Sequence, residues 1–171
     1  MRAVPRASEF MVRRPPVLRP DTPVRDAARL LVRRALPGAA VVDEERRPVG
    51  VFSQQGLMVA LVEALHHQHP AGTVADHLDE LVPPVSEEAP LLTVVRIFVD
   101  VGEALSVLTV AREGRLVGVI TRQEVGRAIA GALAANEELR AVANYLSASA
   151  GPEAPFDARR APRRRSPRRH G

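Results

Sequence analysis

Apolar positions along this chain change period from helical to alternating and back, and they do so twice. In the first half Ala27, Leu30, Leu31, Ala35 and Leu36 recur at helical spacing and predict an amphipathic helix. Asp21 or Thr22 is placed to cap it, with Pro23 near its first turn, where a missing N–H costs little. Pro37-Gly38 ends the stripe. Residues 16–18 form a short extended stretch before it. Residues 39–42 and 48–52 read as short strands around the charged turn 43–47. Ser53 then caps a second helix that reaches about residue 66.

The second half repeats the order. Residues 106–111 and 116–120 read as strands around the turn 112–115, and Thr121 starts a helix reaching about residue 135. The segment LLTVVRIFV, residues 91–99, is rich in β-branched residues and taken alone suggests a strand. Its counterpart in the first half is the helical stripe AARLLVRR. Tertiary context commonly overrides propensity, so a helix with Pro90 in its first turn and Gly102 at its end is expected.

The correspondence is a true repeat with an offset of 68 residues. Residues 39–53, AAVVDEERRPVGVFS, lie on residues 107–121, VLTVAREGRLVGVIT, and align Val42 with Val110, Arg47 with Arg115, Gly50 with Gly118 and Val51 with Val119. The same offset places Pro15-Pro16-Val17 on Pro83-Pro84-Val85, and Ala60, Ala64 and Leu65 on Ala128, Ala132 and Leu133. One offset that fits three separated segments sets the architecture as a paired module. The register gives an N-terminal extension (1–7), a first repeat (8–68), a second repeat (69–135), a helix (136–147) and a tail (148–171). Residues 73–78 form a short helical lead-in. The helix over residues 136–146 either covers the module or pairs with another chain.

Composition narrows the chemistry. Four Phe, one Tyr and no Trp leave a core of Val, Leu, Ile and Ala, and argue against base stacking on aromatic platforms. The absence of Cys excludes disulfides, thiolate metal sites and Cys nucleophiles. No apolar run approaches the roughly 20 residues needed to span a bilayer. The first residues, MRAVPRASEFMVRRPPV, contain no apolar stretch of signal-peptide length, and a cytoplasmic protein is expected. The net charge of +4 is uneven. Residues 1–150 hold 17 Arg and 18 acids, whereas residues 151–171 hold 7 Arg and 2 acids. The Arg-rich segment 159–169 can meet nucleic acid, anionic lipid or an acidic protein by charge alone, or remain a solvated disordered tail.

No Gly-rich phosphate loop and no G-x-S-x-G elbow is present, so no catalytic residues are assigned and an enzyme is not expected. His66, His67 and His69 stand near a helix end with His77 nearby. Neighbouring positions on a helix do not face one another, so the reading is exposed His at a helix C-terminus and no metal site. The pairs Glu44-Glu45, Glu87-Glu88 and Glu137-Glu138 read as solvated faces.

The repeated segment resembles the cystathionine-β-synthase (CBS) repeat, whose pattern is a P-V-V-D-like strand, a polar turn, then G-h-h-T/S-x-x-D with h apolar. The first copy supplies Ala40-Val41-Val42-Asp43, Gly50-Val51-Phe52 and Ser53-Gln54-Gln55-Gly56. The second supplies Leu108-Thr109-Val110-Ala111, Gly118-Val119-Ile120 and Thr121-Arg122-Gln123-Glu124. The likeness covers about residues 8–135. It implies an α/β (α+β) fold of two β-α-β-β-α repeats about a pseudo-two-fold axis, with short sheets packed on helices. It also implies a tandem pair, or Bateman module. Such a pair binds an adenosine-containing ligand (AMP, ADP, ATP or S-adenosylmethionine) between the repeats, forms a homodimer and regulates a partner protein. A ligand-free interaction module, or a nucleic-acid-associated protein acting through its tail, is the alternative.

The T/S-x-x-D turn suits a nucleotide, because hydroxyl and free N–H groups at a helix N-terminus face phosphate and the acid accepts ribose hydroxyls. This chain departs from the pattern at the acid: Gly56 stands there in the first copy and Glu124 in the second. Thr121-x-x-Glu124 is equally a capping box. The expectation is one working cleft centred on Thr121 and Glu124, with Arg122 on a phosphate and Val85, Ser106, Val107 and Leu108 either lining it or serving as core. Ser53 and Gly38 mark the equivalent first-copy cleft, expected to be empty or altered.

Overall fold

In a computed structural model of the chain, residues 4–67, 70–79 and 82–135 are described. The elements run α1 (Ala7–Phe10), β1 (Val12–Arg13), β2 (Val17–Leu18), α2 (Val24–Arg34), β3 (Gly38–Val42), β4 (Pro48–Ser53) and α3 (Gln54–His67). They continue with β5 (Val85–Ser86), α4 (Leu91–Val101), β6 (Val107–Arg112), β7 (Arg115–Thr121) and α5 (Arg122–Ala135). Single 3-10 turns stand at Val74–His77 and Gly102–Ala104. The expected helix over 136–147 and the tail over 148–171 lie outside the described residues.

Each repeat is thus β-α-β-β-α in the register expected from the 68-residue offset. The segment rich in β-branched residues is the helix α4. Leu91, Val94 and Phe98 lie on one face at i, i+3 and i+7, and all three are buried. Gly102 closes it with φ of 70°. The capping expectation for α2 differs. Its first turn begins on Pro23, with no side-chain cap, and Thr22 instead accepts a hydrogen bond from Arg19 N–H. Pro23 lacks the hydroxyl a cap needs, and its carbonyl takes the first helical N–H groups. The helix ends on Ala35 in the left-handed region, before Pro37.

The strands form a three-stranded sheet, β2-β3-β4, and a four-stranded sheet, β1-β7-β6-β5. Every residue of β3 is buried, so it reads as a near-continuous apolar run covered on both faces. Ala39 and Val41 join the core of the first repeat with Leu31, Phe52 and Val74. Ala40 and Val42 point the other way, and pack with Val107, Leu116 and Val119 across the two sheets. Leu108, Val110 and Ile120 form the core of the second repeat with Val94 and Phe98.

The lead-in segments cross over. Residues 7–13 lie against the second repeat: Ala7 is in its core, and β1 pairs with β7 through Val12↔Val119. Residues 72–79 lie against the first repeat, where Val74 N–H reaches the Thr22 carbonyl and Asp79 N–H the Val51 carbonyl at 2.9 Å. Gly118 admits the first of these approaches, since a Cβ there would lie 3.0 Å from the Val12 carbonyl and still closer to Met11 Sδ.

Candidate functional site

Two clefts lie between the repeats, related by the same 68-residue offset. The larger has a volume of about 470 Å³ and is lined by Gly50, Gln55 and Asp79 on one side and Pro83, Ser106 and Thr109 on the other. The smaller, about 190 Å³, is lined by Pro15, Gly38 and Ala39 from the first repeat with Thr121, Gln123 and Glu124 from the second. Small-molecule sites are usually clefts of roughly 300–1,000 Å³, and only the larger of these two falls in that range.

The smaller cleft contains the turn on which the sequence centred the site. Glu124 is 8% exposed and folds back onto its own helix. Its Oε2 accepts from Thr121 N–H at 3.0 Å and from the Thr121 hydroxyl, and Arg127 stands 3.4 Å from its Oε1. Gln123 N–H donates to Thr121 Oγ1 at 3.2 Å. This is the capping arrangement, with both partners satisfied inside the first turn of α5. Arg122 is engaged elsewhere. It donates to the Gly102 carbonyl at 2.5 Å, and its guanidinium lies over the Phe98 ring at 5.6 Å.

Of the four residues expected beside Thr121 and Glu124, Val107 is the strand partner of Thr121, but none of the four lines the smaller cleft. Ser106 and Val107 line the larger cleft. Leu108 is fully buried in the core of the second repeat, because neighbouring residues of a strand face opposite sides. Val85 pairs with Val110 and borders a separate, shallow trough of about 620 Å³ with Arg47 and Arg112. Ser53 and Gly38 are strand partners; Gly38 lines the smaller cleft, while Ser53 lines neither and bonds Asp79 of the larger one. The cause is the crossing of the two repeats, which sets the turn of each against strand residues of the other.

The larger cleft has a carboxylate the sequence reading missed. Ser53 is 2% exposed; its Oγ accepts from Gly56 N–H at 3.2 Å and donates to Asp79 Oδ1 at 2.9 Å. Asp79 is half-buried. Burial holds its carboxyl above the usual aspartate range, a shift the Ser53 hydroxyl partly offsets. Across the cleft, the Ser106 hydroxyl is buried without a hydrogen-bond partner.

Other charged groups have structural partners. His77 bonds the Ala71 carbonyl at 2.9 Å and stands 3.5 Å from Glu63. Among the described residues, no group of three His, Cys, Asp or Glu is placed to hold a metal ion. The side chains of His67 and His69 lie outside the described residues. Glu87, read from sequence as solvated, is tied to Arg112 through two hydrogen bonds, one at 2.6 Å, and that bond holds its carboxyl below its ordinary value. Among the described residues no helix is long and apolar enough to cross a membrane.

Comparison with known proteins agrees with the fold. A family model described as the CBS domain matches twice, over residues 7–63 and 76–131. The structure is similar to CBSX2 in complex with AMP, with 28% identity over 72% of this chain and 94% of that one and a TM-score of 0.63. It is also similar to CBSX2 from Arabidopsis thaliana, with 26% identity over 78% and 99% of the two chains and a TM-score of 0.65. The CBS domain pair of MJ0100, in complex with 5′-methylthioadenosine and S-adenosyl-L-methionine, shares the fold at 18% identity, over 75% and 98% of the chains, with a TM-score of 0.64. No curated protein matches this chain in sequence.

Proposed function

Because the chain belongs to the CBS domain family, as a tandem pair of such repeats, we propose that it is a non-enzymatic regulatory module that binds an adenosine-containing ligand between its repeats and signals to a partner protein. The observation that carries this reading is the cleft of about 470 Å³, with largely apolar walls and the polar residues Asp79 and Gln55 in its lining. AMP in the complex of CBSX2, at 28% identity, supports the ligand class.

A regulatory ligand must bind two states of its protein with different affinity. The walls of this cleft come from both repeats, Gly50 and Gln55 from one and Ser106 and Thr109 from the other. A ligand bridging them favours the arrangement in which both walls reach it. A homodimer belongs to the same reading. Helix α3 exposes Met58, Leu61 and Leu65 at i, i+3 and i+7, a stripe that a second copy would cover. The proposed setting is the cytoplasm.

Calorimetric titration of the full chain with AMP, ADP, ATP and S-adenosylmethionine tests the reading. Saturable binding of one ligand per chain is expected for at least one of the four. Absence of binding by all four overturns the nucleotide reading and leaves the interaction module.

A further inference from the structure

The family pattern gives the first repeat a turn without its acid, since Gly56 has no side chain. The structure fills the same space from another segment. A Cβ built on Gly56 would lie 2.7 Å from the His77 carbonyl oxygen and 3.6 Å from Asp79 Oδ1. The carboxylate of Asp79 therefore occupies the region that an acidic side chain at position 56 would reach. Only a glycine lets the chain of residues 77–79 come so close to α3. The crossed lead-in brings it there, and the 2.9 Å bond from Asp79 N–H to the Val51 carbonyl fixes its backbone along β4.

The chemistry of the cleft then selects a ligand. One oxygen of Asp79 accepts from Ser53, and an ionised carboxylate has further acceptor sites on both oxygens. A half-buried carboxylate whose ionisation burial opposes gains from neutral donors that add no second charge. Gln55 lines the same cleft, and around both lie Val82, Leu105 and Val107. A vicinal diol beside a flat, weakly polar ring suits a carboxylate set among apolar walls, and a ribonucleoside carries both.

Resting on the nucleotide reading above, we infer that the nucleoside site of this chain is the larger cleft, beside the turn of the first repeat, and that Asp79 supplies there the ribose-binding carboxylate that Gly56 does not carry. The second-repeat turn has its acid in sequence but has committed it to capping α5. The first has no acid in its own turn and has one beside it in space.

The test is a cycle on the full chain, with AMP and 2′-deoxy-AMP titrated into wild type, Asp79→Asn and Glu124→Gln. A hydrogen bond to a charged group contributes enough that wild type should favour AMP over its deoxy analogue by about tenfold or more. In Asp79→Asn the preference should collapse toward unity, while Glu124→Gln should keep it. Circular dichroism confirms that each variant is folded. If Asp79→Asn fails to fold, Gln55→Ala replaces it and is expected to weaken AMP while Glu124→Gln does not. Undiminished discrimination in Asp79→Asn, undiminished AMP affinity in Gln55→Ala, or loss of AMP binding in Glu124→Gln overturns the assignment while leaving the nucleotide reading intact. Absence of AMP binding in wild type overturns both.

Discussion

Replacing Gly56 with alanine sets two opposing effects against each other at one atom. Gly56 lies in the first turn of α3, and alanine in a helix is worth about 1 kcal/mol over glycine. The new methyl, however, would lie 2.7 Å from the His77 carbonyl oxygen. That distance is below any real contact, and the obstacle is backbone, which cannot swing away as a side-chain tip does. Overpacking of this kind costs about 1–3 kcal/mol. The net expectation is a loss of roughly 0–2 kcal/mol, with the 77–79 segment pushed off α3. Gly126 and Gly131 of α5 serve as internal controls, because a Cβ at either meets nothing within 4 Å. There the same substitution should raise stability by about 0.5–1 kcal/mol. Urea unfolding of the three variants, at constant m, reads the difference directly. A Gly56→Ala variant stabilised as much as the two controls would refute the close packing of residues 77–79, and with it the placing of Asp79.

Phe52 is fully buried in the first-repeat core, so Phe52→Ala should cost about 3–5 kcal/mol, measured by the same unfolding assay. The folded-state values of Asp76 and Glu87 are depressed, by the Thr73 backbone N–H and by Arg112 respectively. Their stabilisation is present above the ordinary carboxylate range and lost as pH falls through the lower folded values; Glu87→Gln should flatten that acid limb in thermal melts. Asp79 has the opposite sign. Its raised value means that stability declines as pH rises through its titration, so Asp79→Asn should melt higher than wild type at pH 7 while binding AMP less well. Leu61 is 58% exposed at the centre of the apolar stripe of α3, and Leu61→Glu should convert a dimer to a monomer in sedimentation velocity and remove the concentration dependence of the melting temperature.

Much of the fold was legible because a repeat constrains what a single segment leaves open. Residues 91–99 have the composition of a strand, yet the offset placed them on α2, and they form α4 because Leu91, Val94 and Phe98 bury one helical face. Strand limits differed by about a residue, at Gly38 and Arg115, where the last ladder bonds and not hydrophobicity decide the boundary. The crossing of the lead-ins was not legible. The apolar residues of 7–13 and 74–78 announce that each packs somewhere, but not on which sheet.

That gap accounts for the site. The sequence pointed to Thr121 and Glu124 because the motif survives there, and the same residues make a satisfied cap. Asp79 is one acid among several in DHLDEL, and no periodicity sets it beside Ser53, 26 positions away. A signal did exist for part of the lining. Adjacent strand residues face opposite sides, so Val107 and Leu108 cannot both line one cleft. A glycine at the position of an acid, in a helix where glycine is costly, was itself a sign that something else approaches there.

The most direct measurement is an amide proton–nitrogen NMR titration of the full chain with AMP. Shifts should concentrate at Gly50, Val51, Gln55, Asp79, Ser106, Val107 and Thr109, the two walls of the larger cleft. Shifts centred on residues 38–40 and on Thr121 to Glu124, or no shifts at all, would contradict the placing of the site there.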